Sequence, residues 1–353
     1  MNNVRIKKPE EMNLKKEVEL FEDGLRTGPE SGNYEWWYFD SKYEDGSSLV
    51  IIFFSKPVTS LKGKYEPYVS FDFVSPTREH IHTEYRCNDY SMSKEMCDVK
   101  IGECSVKGNL KHYEIYFKNE VVEASLSLDA SVPSWRPYSG HLYFNEKEYF
   151  AWLPSVPEGK VKVNIKTNKE EFSLEGTGYH DHNWGNKLMI FLMNDWYWGR
   201  AKIGDYVVVS AYIYANKKCE HAPTPVFMLA KDGEIIADDA YRCLTYSESD
   251  FTKDSHTKRY VANTIIYDYK DEENKKHYRI KYKKGKEEVE RKNMKDIVGT
   301  IPAALFYVLG FRGSYHRMGG EVILEKLENG EVVEVIKAPG MWEQMCFGKD
   351  RVK

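Results

Sequence analysis

The chain has 353 residues, 41% of them apolar and 30% charged, with a net charge of −4. That composition belongs to a folded chain of about two domains and excludes a disordered one. With 51 basic against 55 acidic residues, the chain lacks the basic excess of a nucleic-acid binder.

Residues 1–28 show no periodicity and read as an N-terminal tail or strap over the core. They contain no apolar h-region, so no signal peptide is expected. From residue 29 onward the pattern is strand-like almost throughout. The run Tyr34-Glu35-Trp36-Trp37-Tyr38-Phe39-Asp40, taken as a strand, puts Glu35, Trp37 and Phe39 on one face and Trp36, Tyr38 and Asp40 on the other. Rings on both faces mean that both are covered. Glu35 is then a partly buried carboxylate, either a candidate acid or a core residue paired with an arginine. Ser48 to Phe54 is a short β-branched and aromatic run of strand length, and Lys160 to Lys166 and His277 to Lys283 alternate with period two. Asp45-Gly46, Asp232-Gly233 and Asn329-Gly330 lie between such runs as hairpin turns. The pattern predicts an all-β protein of sandwiches or barrels.

His80-x-His82 and His180-x-His182 each place two imidazoles on one face, a spacing that zinc sites use. No third ligand follows at a characteristic spacing, so they read as hydrogen-bonded structural residues and no metal is expected. The six cysteines (Cys87, Cys97, Cys104, Cys219, Cys243, Cys346) form no CxxC pair and read as reduced thiols of a cytoplasmic protein.

The densest run of reactive groups is Gly176-Thr177-Gly178-Tyr179-His180-Asp181-His182-Asn183-Trp184-Gly185. If extended, it places His180, His182 and Trp184 on one face and Tyr179, Asp181 and Asn183 on the other. A barrel corner needs some polar side chains, but not so many ionisable ones. A domain boundary is expected after residue 186, giving domains 29–186 and 187–353. Beyond it, Asp195 to Arg200 sets Trp196 and Trp198 on one face and Tyr197 on the other, with Arg200 able to pair with a carboxylate or stack on an indole. A helix is expected around Asp296 to Leu309. Its apolar part falls short of the ~20 residues that cross a bilayer, and it reads as a packing helix or as a membrane-facing entrance. Tyr315-His316-Arg317 and Gly340-Met341-Trp342-Glu343 again combine rings with charges, as a site or as core aromatics beside a surface ion pair. There is no Walker A loop, dinucleotide fingerprint or GxSxG elbow, so a nucleotide-dependent enzyme or an ordinary hydrolase is not indicated.

Three segments together resemble one family: Glu35-Trp36-Trp37-Tyr38-Phe39, then Ala151-Trp152-Leu153-Pro154 with Pro157 and Gly159, then Gly178 to Gly185. Their order and spacing are similar to the carotenoid 1,2-hydratase (hydroxyneurosporene synthase) and AttH-like lipocalin family, over roughly residues 30 to 348. The resemblance implies two lipocalin-like antiparallel β-barrel domains with a ligand pocket at or near their junction. It also implies hydration of isoprenoid double bonds or cyclisation of polyenes, with no cofactor. One departure stands out. Hydratases of this family carry a carboxylate on the strand after the second tryptophan-rich segment, where this chain reads Tyr206 to Tyr214 without an acid.

Hydrating a trisubstituted alkene requires an acid that protonates carbon, rings that stabilise the cation and a base that directs water. Asp181 or Glu35 is the candidate acid, with His182 orienting it or activating water and Tyr179 assisting. Trp37, Tyr38, His180, Asn183, Trp184, Trp196, Tyr197, Trp198, Arg200, Tyr315, Trp342 and Glu343 are the candidate substrate-binding groups. The expected partner is a hydrophobic small molecule, such as a prenyl lipid, with possible peripheral membrane contact and no nucleic acid. The alternative is a non-catalytic carrier of such a ligand. The sequence sets no oligomeric state.

Overall fold

The computed structural model describes residues 4–293, 296 and 313–351. The helix expected around Asp296 to Leu309 lies outside the described residues, Asp296 excepted. The chain forms two compact units, one over Arg5–Met189 and one beginning at Ile190.

The first unit holds thirteen strands: β1 (Arg5–Ile6), β2 (Tyr34–Tyr43), β3 (Ser48–Phe54), β4 (Tyr68–Val74), β5 (His80–Arg86), β6 (Tyr90–Met92), β7 (Asp98–Ile101), β8 (Cys104–Gly108), β9 (His112–Lys118), β10 (Val122–Ala130), β11 (His141–Tyr143), β12 (Tyr149–Thr167) and β13 (Glu171–Gly185). They form one antiparallel sheet ordered β5-β4-β3-β2-β13-β12-β10-β9-β8-β7-β6, with β11 bridging β1 and β12. The sheet wraps a core that includes Trp37, Phe39, Phe53, Phe71, Tyr113 and Phe117. The second unit holds nine strands among the described residues: β14 (Met193–Ile203), β15 (Tyr206–Ala215), β16 (Pro223–Lys231), β17 (Glu234–Ala237), β18 (Leu244–Lys253), β19 (Tyr260–Asp271), β20 (Lys276–Asn293), β21 (Ser314–Glu328) and β22 (Glu331–Cys346). Their order is β17-β16-β15-β14-β22-β21-β20-β19-β18, around Tyr197, Tyr267, Tyr282 and Trp342. The all-β, lipocalin-like expectation is borne out. No helix among the described residues is long and apolar enough to cross a membrane. All six cysteines are free.

The hairpins follow the turn chemistry. Asp232-Gly233 and Asn329-Gly330 have positive φ at both positions (51° and 83°; 52° and 88°), as two-residue turns between right-twisted strands require. Asp250 in β18 also has a positive φ, 56°, without disturbing the β18–β19 register, which runs from Ser249–Thr264 to Phe251–Ala262.

Strands β12 and β13 change character along their length. Lys160–Lys166 alternates buried and exposed, whereas Phe150–Gly159 and Gly178–Gly185 are buried throughout. The change falls at Gly159 and Gly178, which face each other across the ladder. A Cβ on Gly159 would lie 2.6 Å from the Asp129 carbonyl oxygen, and one on Gly178 would lie 2.3 Å from Val161 Cγ2. Only glycine lets the neighbouring chains come this close.

The N-terminal segment crosses this unit as a strap. It carries two 3₁₀ turns, Pro9–Met12 and Leu20–Asp23, and the second buries Glu22 and Asp23. Arg136 fixes it from the β10–β11 connection: Nε donates to Glu22 Oε2 at 2.6 Å, Nη2 to the Lys15 carbonyl at 2.6 Å and Nη1 to the Lys16 carbonyl at 3.2 Å. Burial pushes the Glu22 carboxyl up even beside this cation.

Replacing Arg136 by Met leaves the Glu22 carboxyl buried without a cation. It is expected to cost ~3–5 kcal/mol in urea unfolding and to make the strap the first site cut in limited proteolysis. Gly178→Ala is expected to cost about 1–3 kcal/mol by overpacking the strand crossing, with Gly63→Ala, whose added Cβ meets nothing within 4 Å, as a control for the loss of glycine itself.

Candidate active site

The Tyr179–Trp184 run lies between two neighbours in register. On β2, Trp37 faces His182, Phe39 faces His180, Tyr38 faces Asp181 and Trp36 faces Asn183. On β12, Trp152 faces Asn183 and Leu153 faces His182. Directly opposed residues share a face, so the sheet sorts the polar groups into two separate sets.

The first set comprises His180, His182 and Glu35, all with no exposed surface. His182 stacks on Trp37 with centroids 4.7 Å apart, and His180 stacks on Phe39 at 4.0 Å. His182 Nε2 contacts Glu35 Oε1 at 2.8 Å and its Nδ1 contacts the Glu22 carbonyl at 3.2 Å. His180 Nδ1 contacts the Tyr38 carbonyl at 2.9 Å and its Nε2 contacts Asp23 Oδ2 at 3.2 Å. Glu35 also accepts from Arg26 N, Thr27 N and Thr27 Oγ1, each at 2.7 Å. Tyr113 Oη donates to Asp23 Oδ2 at 2.5 Å, and Trp37 Nε1 donates to the Asp23 carbonyl at 2.8 Å. This network ties the strap to the inside of the sheet.

One expectation is corrected here. His182 does not orient Asp181, because the two side chains leave β13 on opposite faces and His182 is engaged by Glu35 and Glu22. Glu35 likewise stands on the other face from Asp181, with its acceptor positions taken by four donors. The ligating atoms of Asp23, Cys97 and His180 come within 4.8 Å of one another. Asp23 Oδ2 and His180 are engaged by hydrogen bonds, while Asp23 Oδ1 is buried 3.6 Å from His182 Nδ1 without one. His80 and His82 are exposed and both contact the Asp72 carboxylate at 3.1 Å.

The second set surrounds Asp181, which is 7% exposed. Tyr179 Oη and Trp152 Nε1 each donate to Asp181 Oδ2 at 2.8 Å, and Asn183 Nδ2 donates to Oδ1 at 2.6 Å. Burial pushes the carboxyl up, the three donors pull it back, and the balance leaves it at about 6. Tyr38 meets Tyr179 edge to face at 6.3 Å, and its hydroxyl contacts Asp40 Oδ2 at 3.2 Å. Trp36 and Tyr38 are only half-buried, so this face reaches the surface beside the carboxyl. From Trp36 an aromatic ladder crosses successive strands in register, through Phe54 and Tyr68 to Arg86. Phe54 stacks on Tyr68 at 4.5 Å, and the Arg86 guanidinium lies 4.3 Å from the Tyr68 ring centre.

The remaining candidates lie in the second unit and divide between two faces. Tyr197 and Trp342 belong to its core, with Trp342 edge-on to Tyr282 at 5.3 Å and Tyr197 Oη accepting from Ala262 N at 3.0 Å. Trp196, Trp198 and Arg200 point to the other face and are half-buried. There Glu343 accepts from Tyr315 Oη at 2.6 Å and pairs with Arg317 at 3.2 Å. Trp184 stays with the histidines, 4.7 Å from His182. Trp152, Trp36, Asp23 and Arg136 were not among the candidates. Trp152 and Trp36 stood inside quoted motifs, whereas nothing local to residues 1–28 marks Asp23.

A family model described as Diels-Alderase-like matches residues 29–283. A hydroxyneurosporene dehydrogenase from Chlorobaculum tepidum is 30% identical over 268 residues, covering 63% of this chain and 67% of that protein. An AttH-type protein from Nitrosomonas europaea superposes over 95% of this chain and 98% of its own, with a TM-score of 0.58 at 14% identity. Kievitone hydratase from Nectria haematococca does so over 94% and 96%, with a TM-score of 0.53 at 11% identity. The resemblance carried by the EWWYF and YHDHNWG segments is thus borne out, and the chain belongs to the Diels-Alderase-like family.

Proposed function

We propose that the protein is an enzyme acting on an apolar isoprenoid or polyene substrate, hydrating or cyclising a carbon–carbon double bond with Asp181 as proton donor. The observation that carries this reading is the Asp181 carboxyl: buried, near 6, held by three neutral donors and adjacent to half-buried rings. Membership of a Diels-Alderase-like family, and the names of a hydroxyneurosporene dehydrogenase and a kievitone hydratase among the relatives, support chemistry on such molecules.

A substrate lying over Trp36 and Tyr38 brings an alkene carbon to the carboxyl. The proton passes from Asp181 oxygen to that carbon as the π bond breaks, leaving a tertiary cation and a carboxylate. Tyr179, Trp152 and Asn183 are already aimed at the oxygens where that negative charge develops, so they stabilise it without reorganising. Each facing ring contributes ~0.5–2 kcal/mol to the cation in a dry site. In hydration, water adds to the cation and returns a proton to Asp181, for a net gain of one water. In cyclisation, a second double bond attacks instead, and a carbon-bound proton returns to Asp181.

Asp181→Asn is expected to lower turnover by about 10²–10⁴-fold, the contribution of a positioned acid, while leaving substrate binding in place. Products formed in heavy-oxygen water carry the label if the reaction is hydration and lack it if the reaction is cyclisation. Because the donor is the protonated form, turnover should fall as pH rises through about 6. Stability tied to this proton follows the same sign, fully present below 3.8 and lost as pH rises through about 6. Recovery of prenyl lipids and linear polyenes unchanged after prolonged incubation would sink the reading in favour of a carrier.

A further inference from the structure

The second unit contains a polar pocket that the proposed chemistry does not use. Its lining includes Asp195, Glu248, Gln344, Cys346, Asp350 and Arg351. The cavity remaining beside Arg351 is about 20 Å³, room for one water. Asp195 on β14 and Glu248 on β18 both turn buried carboxylates toward it, their side chains 6% and 7% exposed. One guanidinium answers both. Arg351 Nε reaches Asp195 Oδ2 at 2.8 Å, while Nη2 reaches Asp195 Oδ1 and Glu248 Oε1, each at 2.9 Å. Its plane lies against Tyr214, with Cζ 3.2 Å from the ring centre. Two acids and an aromatic face are the elements of a receptor for a planar cation.

Two further features show that this is more than a surface ion pair. Gln344 is 5% exposed, and its side-chain oxygen has no hydrogen-bond partner. A buried acceptor left open in this way calls for a donor that the chain does not supply. The pocket also sits on a seam. The sheet ends at β18, which pairs with β19 alone, so no backbone ladder joins β18 to β15. Side chains hold that edge: Tyr212 stacks on Tyr246 at 3.8 Å, Tyr214 Oη contacts Glu248 at 3.4 Å, and Arg351 spans Asp195 and Glu248. Residues 347–351 lie across the pocket without regular structure of their own, fastened by Asn194 to the Lys349 carbonyl and by Arg259 to Asp350.

We propose that this pocket is a binding site for a small ligand bearing a guanidinium or primary ammonium group, and that Arg351 is its intramolecular stand-in. When the 347–351 segment lifts, the two carboxylates facing Tyr214 lose the Arg351 guanidinium, while Arg259, which also lines the pocket, loses its Asp350 partner. A ligand cation then replaces the guanidinium, and a further N–H on the ligand meets Gln344. The site is distinct from the Asp181 cluster, so its failure leaves the proposed reaction untouched.

The test uses full-length protein and agmatine, with the uncharged 1,4-butanediol as control. In the wild type, agmatine should raise hydrogen exchange in residues 347–351 without raising it across β19–β21, as the tethered arginine is displaced. Arg351→Ala should bind agmatine at least about tenfold more tightly than the wild type, because the competitor is gone, and adding Glu248→Gln should abolish that gain. If Arg351→Ala does not fold alone, Arg351→Gln expressed and purified in agmatine replaces it. Absence of saturable agmatine binding to either Arg351 variant would overturn the proposal. So would binding to the variant with no displacement in the wild type, since the arginine would then be a fixed structural clasp.

Discussion

The structure turns on one constraint: the stretch from Gly178 to Gly185 is a strand buried on both faces, yet it carries a phenol, two imidazoles, a carboxylate and an amide. A polar group taken from water costs several kcal/mol unless a partner replaces the lost hydrogen bonds. Every residue of this run therefore dictates something around it. The even positions require acceptors inside the sheet, and the strap delivers Asp23 and the Glu22 carbonyl to them. The odd positions require donors on the other side, and Trp152 reaches across from the next strand. The glycine pair at 159 and 178 stands where the two strands pass from half-buried to wholly buried, and neighbouring atoms approach too closely there for a Cβ.

Glu35 and Asp181 illustrate how environment separates two carboxyls in one small region. Glu35 meets an imidazole, two backbone N–H groups and a hydroxyl, all from the strap or from its facing histidine. Removing its charge would unfasten the strap, so its chemistry is committed to structure. Asp181 meets only side chains of its own sheet, and none of the three donors bound to it is charged. The histidines that look like catalytic bases in the sequence are on the Glu35 side of this division. Their rings stack between aromatic neighbours and anchor the chain terminus.

Much of this was legible in the sequence because strand alternation is a strict rule. The face assignments at 34–40 and 179–184, the hairpin turns and the all-β class follow from period two and from turn residues. What alternation cannot supply is the partner of each face. His180 and Asp23 are 157 residues apart, and Trp152 meets Asp181 across 29. The same limit explains the aromatic candidates of the second unit. Tyr197 and Trp342 were grouped with Trp198 and Glu343 by composition, but neighbours in sequence alternate between the barrel core and its outer face. Arg351 was missed for a related reason: a lone arginine in an irregular segment has no pattern, and its meaning comes only from the two distant acids it joins.

Three buried carboxyls differ in what binds them. Glu22 is paired with Arg136 and Asp195 with Arg351, in contacts of 2.6 and 2.8 Å. Each of these carboxylates faces a guanidinium, and breaking the pair would leave a charge without its partner, wholly buried in the case of Arg136. Asp181 has no such bond to lose. Burial raises its carboxyl and three neutral hydrogen bonds lower it, and burial prevails, leaving it at about 6. A group in that position can give up a proton and take it back within a catalytic cycle while the fold around it stays fixed. The aromatic ladder begins at Trp36, on the Asp181 face of the sheet and not on the Glu35 face. In the proposed reaction, an apolar substrate covering Asp181 would add to the burial of its carboxyl and favour the protonated form.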